Sequence, residues 1–414
     1  MVIAGIVLIV AGTSIIAGAL TSSDGKGEIE RNSVLFLDLN GVIEERAVEN
    51  PLASIMDSEL KTYGLDEILA AIKEAKANEN IKGIYLQAGT VEGASGASLE
   101  EIRGELASFK ESGKFIVAYG DQYSQELYYL ATVADKLILN PQGNIGWHGL
   151  ASTPVFYKDL LEKIGVEMQV FKVGTYKSAV EPFICSEMSP ANREQSTSYL
   201  FSIWTNMLKD VAESRGMELS RLNSMADTLT MFSGATTSLD CGLVDRLCYM
   251  DEVRTILREK CGLEDEDAEL VFASVAEVAK SEELGDKIDE QVAVYYAYGE
   301  IVQSQSGGLT MNQGQQIVGD KMIKDLKNLR EDDDVKAVVI RVNSPGGSAF
   351  ASEQIWREVC LLKEKKPVVI SMGGMAASGG YYISCAANRI FAEPTTLTGS
   401  IGIFGMIPDM SELM

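Results

Sequence analysis

Apolar positions along the chain follow first a helical period and then a strand-like run, and they do so twice. LDEILAAIKEAKA (65–77) and DKMIKDLKNL (320–329) have helical spacing, and each leads into a short β-rich run, KGIYL (82–86) and KAVVIRV (336–342). The echo extends well beyond these pairs. NIKGIYLQAGTVEGASGASLEEIR (80–103) aligns with DVKAVVIRVNSPGGSAFASEQIWR (334–357) at a constant offset of 254 residues. ELYYLATVADKLILNP (126–141) matches GGYYISCAANRIFAEP (379–394), GNIGWHGL (143–150) matches GSIGIFGM (399–406), and VLFLDLNGVI (34–43) answers VAVYYAYGEI (292–301). A duplication of this kind decides the fold before any motif does. Each copy reads as alternating strands and helices, which predicts two tandem α/β units with parallel sheets and right-handed crossovers. The units are expected at 30–186 and 286–414, with a helical connecting region over 187–285.

The copies differ where chemistry would sit. In this alignment Ser378 stands opposite Gln125, and Gly346-Gly347 opposite Glu92-Gly93; a slip of one residue would place Ser124 opposite Ser378 instead. The first copy therefore reads as a degenerate scaffold and the second as the one carrying a candidate nucleophile.

Ahead of both copies, residues 2–20 contain no charge, close to the roughly 20 residues that span a bilayer as a helix. A cleaved signal peptide is the rival reading, but the basic start is missing and the apolar run exceeds the roughly 7–15 residues of its hydrophobic region. The expectation is one transmembrane anchor. Sixty acidic residues against 36 basic ones give a formal net charge of -24, which repels phosphate backbones and argues against a nucleic-acid partner. Six cysteines without paired or histidine-linked spacing predict no metal site and no cofactor, and they specify no disulfide.

Ser378 lies in MGGMAASGGYYIS (372–384), just after an apolar run, where a serine is either a small packing residue or a nucleophile on a strand-to-helix turn. The single histidine, His148, aligns with Phe404, so its position accepts an aromatic ring and a Ser-His relay is disfavoured. Lysine can serve as a base only if burial or neighbours lower its pKa. Lys177, in VEMQVFKVGTYKSAVEPF (166–183), sits among small and apolar residues instead of on a solvated helix face, although lysines near turns usually point to water. Pro345-Gly346-Gly347, between a strand and a helix, offers backbone N–H groups to a developing oxyanion.

RVNSPGGS (341–348), SMGGMAASGGYYIS (371–384), TLTGSIGIFG (396–405) and VGTYKSAVEPF (173–183), together with the repeat, closely resemble the motifs of the signal peptide peptidase A family, also called protease IV, in its long tandem form. The resemblance implies a crotonase- or Clp-protease-like fold for each unit and a serine endopeptidase with a Ser-Lys dyad. Ser378 would be its nucleophile, Lys177 its base and Ser400 the residue that steadies the lysine. The oxyanion hole would come from Gly347, with Gly346, and from Gly379. It further implies a homotetramer anchored in the cytoplasmic membrane, with its catalytic part on the outer side, that cleaves released signal peptides and other apolar peptides. Relative to that pattern the second copy lacks a counterpart of 151–250, so the chain is expected to be truncated. A crotonase-type acyl-coenzyme A enzyme and a non-catalytic membrane scaffold are the alternatives.

Overall fold

A computed structural model of the chain describes residues 29–46, 61–228, 230–264, 268–281, 290–304 and 315–413. The anchor expected at 2–20 lies outside these residues. Among the described residues no helix is long and apolar enough to cross a membrane.

Two parallel sheets organise the molecule. The first has six strands in the order Phe272–Ser274, Ser33–Asp38, Ile81–Gln87, Phe115–Tyr123, Lys136–Ile145 and Arg246–Leu247. The second runs Gln291–Tyr298, Val335–Ser344, Val368–Ala377 and Arg389–Phe391, and Leu397–Gly399 also pairs with Val368–Ala377. The central strands of the first sheet are apolar on both faces because helices cover both, the usual reason for β-rich runs without alternation. Each sheet has its own core. Leu35, Leu86, Leu106 and Leu139 belong to the first, and Val338, Ile340, Ile355 and Ile370 to the second, all fully buried.

The stretch expected as a helical connector is largely helical, with Pro190–Arg215 as its longest helix, and it also supplies both edge strands of the first sheet. Helix Met250–Lys260 from the same stretch covers that sheet's second face through Val253, Ile256 and Leu257. The second sheet instead turns part of that face toward the first unit. Arg341 (8% exposed) projects from strand Val335–Ser344 and bonds Glu45 through Nε at 2.8 Å and Glu101 through Nη2 at 2.7 Å. Asn343 donates to Glu45 at 2.8 Å. Gly373 and Gly374 complete the seam. A Cβ on Gly373 would lie 2.5 Å from Glu45 Oε1, and one on Gly374 would lie 2.2 Å from Ser95 Cβ, so a side chain on either would push the units apart.

A second link is a two-stranded antiparallel ribbon in which Glu167–Lys172 from the first unit pairs with Phe404–Asp409 from the second. It sets the register between the two segments that carry Lys177 and Ser400.

The helix caps correct the alignment at one point. Ser124 and Ser378 each directly follow a strand, Phe115–Tyr123 and Val368–Ala377, and take the same place in the two copies. Both are the N-cap of a short helix, Gln125–Ala131 and Gly379–Ser384. The contrast between the copies therefore lies in the setting of a serine, not in its replacement by Gln125. His148 and Phe404, matched in the sequence, have different settings: His148 is exposed on a loop with Nδ1 3.0 Å from Gly149 O, while Phe404 opens a ribbon strand.

Candidate active site

Ser124 is an ordinary helix cap, with φ -63 and its hydroxyl accepting from Leu127 N–H at 3.3 Å. Ser378 has φ 52 and ψ -114 and makes no cap bond. A non-glycine residue in that region costs on the order of 1–3 kcal/mol and persists only where the surroundings fix it. Here the Ser378 N–H donates to Gly399 O at 2.8 Å, which pins the turn to strand Leu397–Gly399. The hydroxyl is thereby turned away from its helix.

It faces Lys177. The lysine is 5% exposed, and its Nζ lies 3.1 Å from Ser378 Oγ, 2.8 Å from Ser400 O and 3.1 Å from Ser400 Oγ. Among the described residues no carboxylate bonds it. Burial pushes the Lys177 amine below the ordinary lysine value, because the charged form loses its hydration without gaining a counter-ion. Ser400, with φ 50, presents both its carbonyl and its hydroxyl to the same nitrogen.

The lysine loop is held from two sides. After the ribbon, Val173 N–H donates to Ile403 O and the chain turns at Gly174 (φ +92). On the other side Gln195, on helix Pro190–Arg215, donates to Tyr176 O at 3.1 Å and to Ser178 Oγ at 2.8 Å. Glu181, 2% exposed, accepts from Ser189 N–H at 3.2 Å, Ser189 Oγ at 2.6 Å and Asn192 Nδ2 at 3.0 Å.

The loop 345–347 lies directly over the serine turn. A Cβ on Gly346 (φ +96) would be 2.5 Å from Gly379 N, and one on Gly347 would be 2.2 Å from Ile301 O, so glycine is required at both. Gly346 donates its N–H to Ser344 Oγ at 3.1 Å and contributes closeness of approach, not a free donor. The bridge between Ile301 and Gly347 uses Gly346 O and the Ser348 N–H. The N–H groups of Gly347 and Gly379 have no acceptor among the described residues. All six residues singled out from the sequence thus converge. Sequence reasoning missed Glu45, Arg341, Glu181 and Gln195; the one available signal was an arginine within the apolar strand KAVVIRV.

Known proteins resemble the chain over most of its length. The chain is 40% identical over 388 residues to "Protease 4" of Salmonella typhi, covering 90% of this chain and 62% of the relative. It is 35% identical over 415 residues to "Protease 4" of Haemophilus influenzae, covering 94% and 65%. To "Serine protease SPPA, chloroplastic" of Arabidopsis thaliana it is 34% identical over 377 residues, covering 91% and 54%. The chain thus spans somewhat over half of the length of these relatives. A solved structure of a ClpP1 mutant from Listeria monocytogenes, 27% identical, covers 25% of this chain and 52% of its own with a TM-score of 0.20, too low to bear on the fold. The profile of peptidase family S49 matches residues 108–264 and 361–414, the segments that hold Lys177, Ser378 and Ser400, and the chain belongs to that family.

Proposed function

We propose that the chain is a serine endopeptidase working through a Ser378–Lys177 dyad. The observation that carries this reading is the 3.1 Å separation between the lysine nitrogen and the serine oxygen in a buried setting without a counter-ion. A neutral amine has two N–H bonds and one lone pair, and Lys177 has three neighbours. Ser400 O and Ser400 Oγ take the two N–H bonds, which leaves the lone pair for the Ser378 hydroxyl proton.

In the acylation step Ser378 Oγ attacks the scissile carbonyl carbon while its proton passes to Lys177 Nζ. The negative charge that develops on the carbonyl oxygen is met by the Gly347 and Gly379 N–H groups, fixed in place before substrate arrives. The ammonium then gives its proton to the departing amine, and the neutral lysine activates the water that releases the acyl group. Ser400 keeps the nitrogen aimed through both steps. The fuller reading adds a bilayer anchor at 2–20, a homotetramer, a position on the outer side of the cytoplasmic membrane, and released signal peptides or other apolar peptides as substrates.

The test uses the full chain in detergent and an unstructured apolar peptide with a quenched fluorophore. Ser378→Ala and Lys177→Arg are each expected to reduce turnover at least about 10³-fold without unfolding the protein, the arginine because a guanidinium stays protonated. Undiminished cleavage in either variant refutes the dyad.

A further inference from the structure

Glu181 is a buried carboxylate that the proposed chemistry leaves unused. It lies four residues after the lysine and has no cation bonded to it among the described residues; its partners are the Ser189 N–H, the Ser189 hydroxyl and the Asn192 amide. A buried charge with no counter-ion is costly unless hydrogen bonds and dipoles replace its water. Both conditions are met here. All three partners donate to the carboxylate, an acceptor-only group; a glutamine keeps the two bonds at one oxygen, but at the other it offers an NH₂ that the Ser189 hydroxyl can meet only by turning its own proton away. Ser189 is also the N-cap of helix Pro190–Arg215, 26 residues long, so the carboxylate lies at the positive end of a helix.

We infer that Glu181 is a positioning residue for Lys177: it ties the lysine loop to the helix N-terminus, and the helix absorbs its charge so that the carboxylate does not pair with the amine. The connection is short and stiff. Glu181 N–H donates to Ser178 O at 2.9 Å, Lys177 N–H donates to Gly174 O at 3.4 Å, and Gln195 from the same helix holds Tyr176 O and Ser178 Oγ. Loosening this anchor moves Nζ away from Ser378 Oγ, a distance that matters in the chemical step and not in substrate binding. The inference rests on the dyad proposed above.

The experiment is Glu181→Gln in the full chain, assayed with the same peptide. kcat is expected to fall at least about ten-fold while KM stays within about two-fold, the pattern of an interaction used only in the transition state. Wild-type kcat in a folded Glu181→Gln protein overturns the inference, as does a loss confined to KM. If that variant does not fold, Asn192→Ala is read in the same way: it keeps the carboxylate and removes its 3.0 Å bond, together with the bonds that Asn192 Oδ1 accepts from Gln195 at 3.1 Å and Ser196 at 3.4 Å. A kcat loss of about three-fold or more at constant KM supports the role, and an unchanged kcat overturns it. Full turnover in Lys177→Arg would instead show that the dyad itself is wrong.

Discussion

In the proposed dyad the amine of Lys177 must lose its proton before it can take one from Ser378, and the neutral oxygens around it would favour that loss. Ser400→Asp tests that idea directly. Residue 400 has φ 50, a region that aspartate tolerates well among non-glycine residues, so the backbone is expected to survive the change. The new carboxylate would sit where Ser400 Oγ now lies, 3.1 Å from Nζ. A unit charge pair at about 4 Å is worth about 1 kcal/mol in water and about 4 kcal/mol at an effective dielectric of about 20. Lys177 is buried but residue 400 is exposed, so a middle value of about 2 kcal/mol applies, equivalent to about 1.5 pH units. The sign follows from the charge: an anion favours the ammonium and raises the pKa that burial had lowered. The acidic limb of the kcat/KM profile, where activity appears as Lys177 deprotonates, is therefore expected to move up by about one to two pH units. Activity at neutral pH should fall more than ten-fold and recover in alkaline buffer. Peptide cleavage measured across pH on wild type and variant gives both limbs. A variant that is slower by the same factor at every pH, with its limb unmoved, would refute the view that the lysine's protonation limits the reaction.

Two other outcomes follow from the same geometry. Gly347→Ala puts a Cβ 2.2 Å from Ile301 O and displaces the loop that offers its N–H, so kcat is expected to drop about 10²–10³-fold, with melting temperature reporting whether the fold persists; a loss below about three-fold would remove that donor from the mechanism. Arg341→Ala leaves Glu45 and Glu101 facing each other in the seam without their cation, and urea unfolding is expected to show a loss of about 3–5 kcal/mol, whereas a loss under about 1 kcal/mol would mean that water already reaches the pair.

How much of this was legible depends on how far apart the interacting residues are. The α/β alternation and the glycine-rich turns are local, and periodicity with turn chemistry is enough to find them. Ser378 could be singled out from its neighbours, but its positive φ could not, because that conformation is imposed by Gly399 from another strand. The alignment set Gln125 opposite Ser378 because it followed the Tyr-Tyr pair, whereas the helix caps set Ser124 there. Lys177 stood out only by its small and apolar surroundings, since nothing local indicates that its partner is 201 residues away. Glu45 and Arg341 are 296 residues apart, and the polar seam they form has no periodicity to betray it.

The ribbon that pairs Glu167 with Asp409 also bears on when the proposed dyad could assemble, because its two strands are made far apart in time. A ribosome adding about 5–20 residues per second needs roughly 10–40 s to travel from codon 177 to codon 378, and through that interval the proposed base has been made while its proposed nucleophile has not. A half-synthesised chain can therefore have a folded first unit and still be harmless to itself and to its neighbours. Splitting the proposed reactive pair between distant stretches of one polypeptide would delay activity until translation has passed both of them.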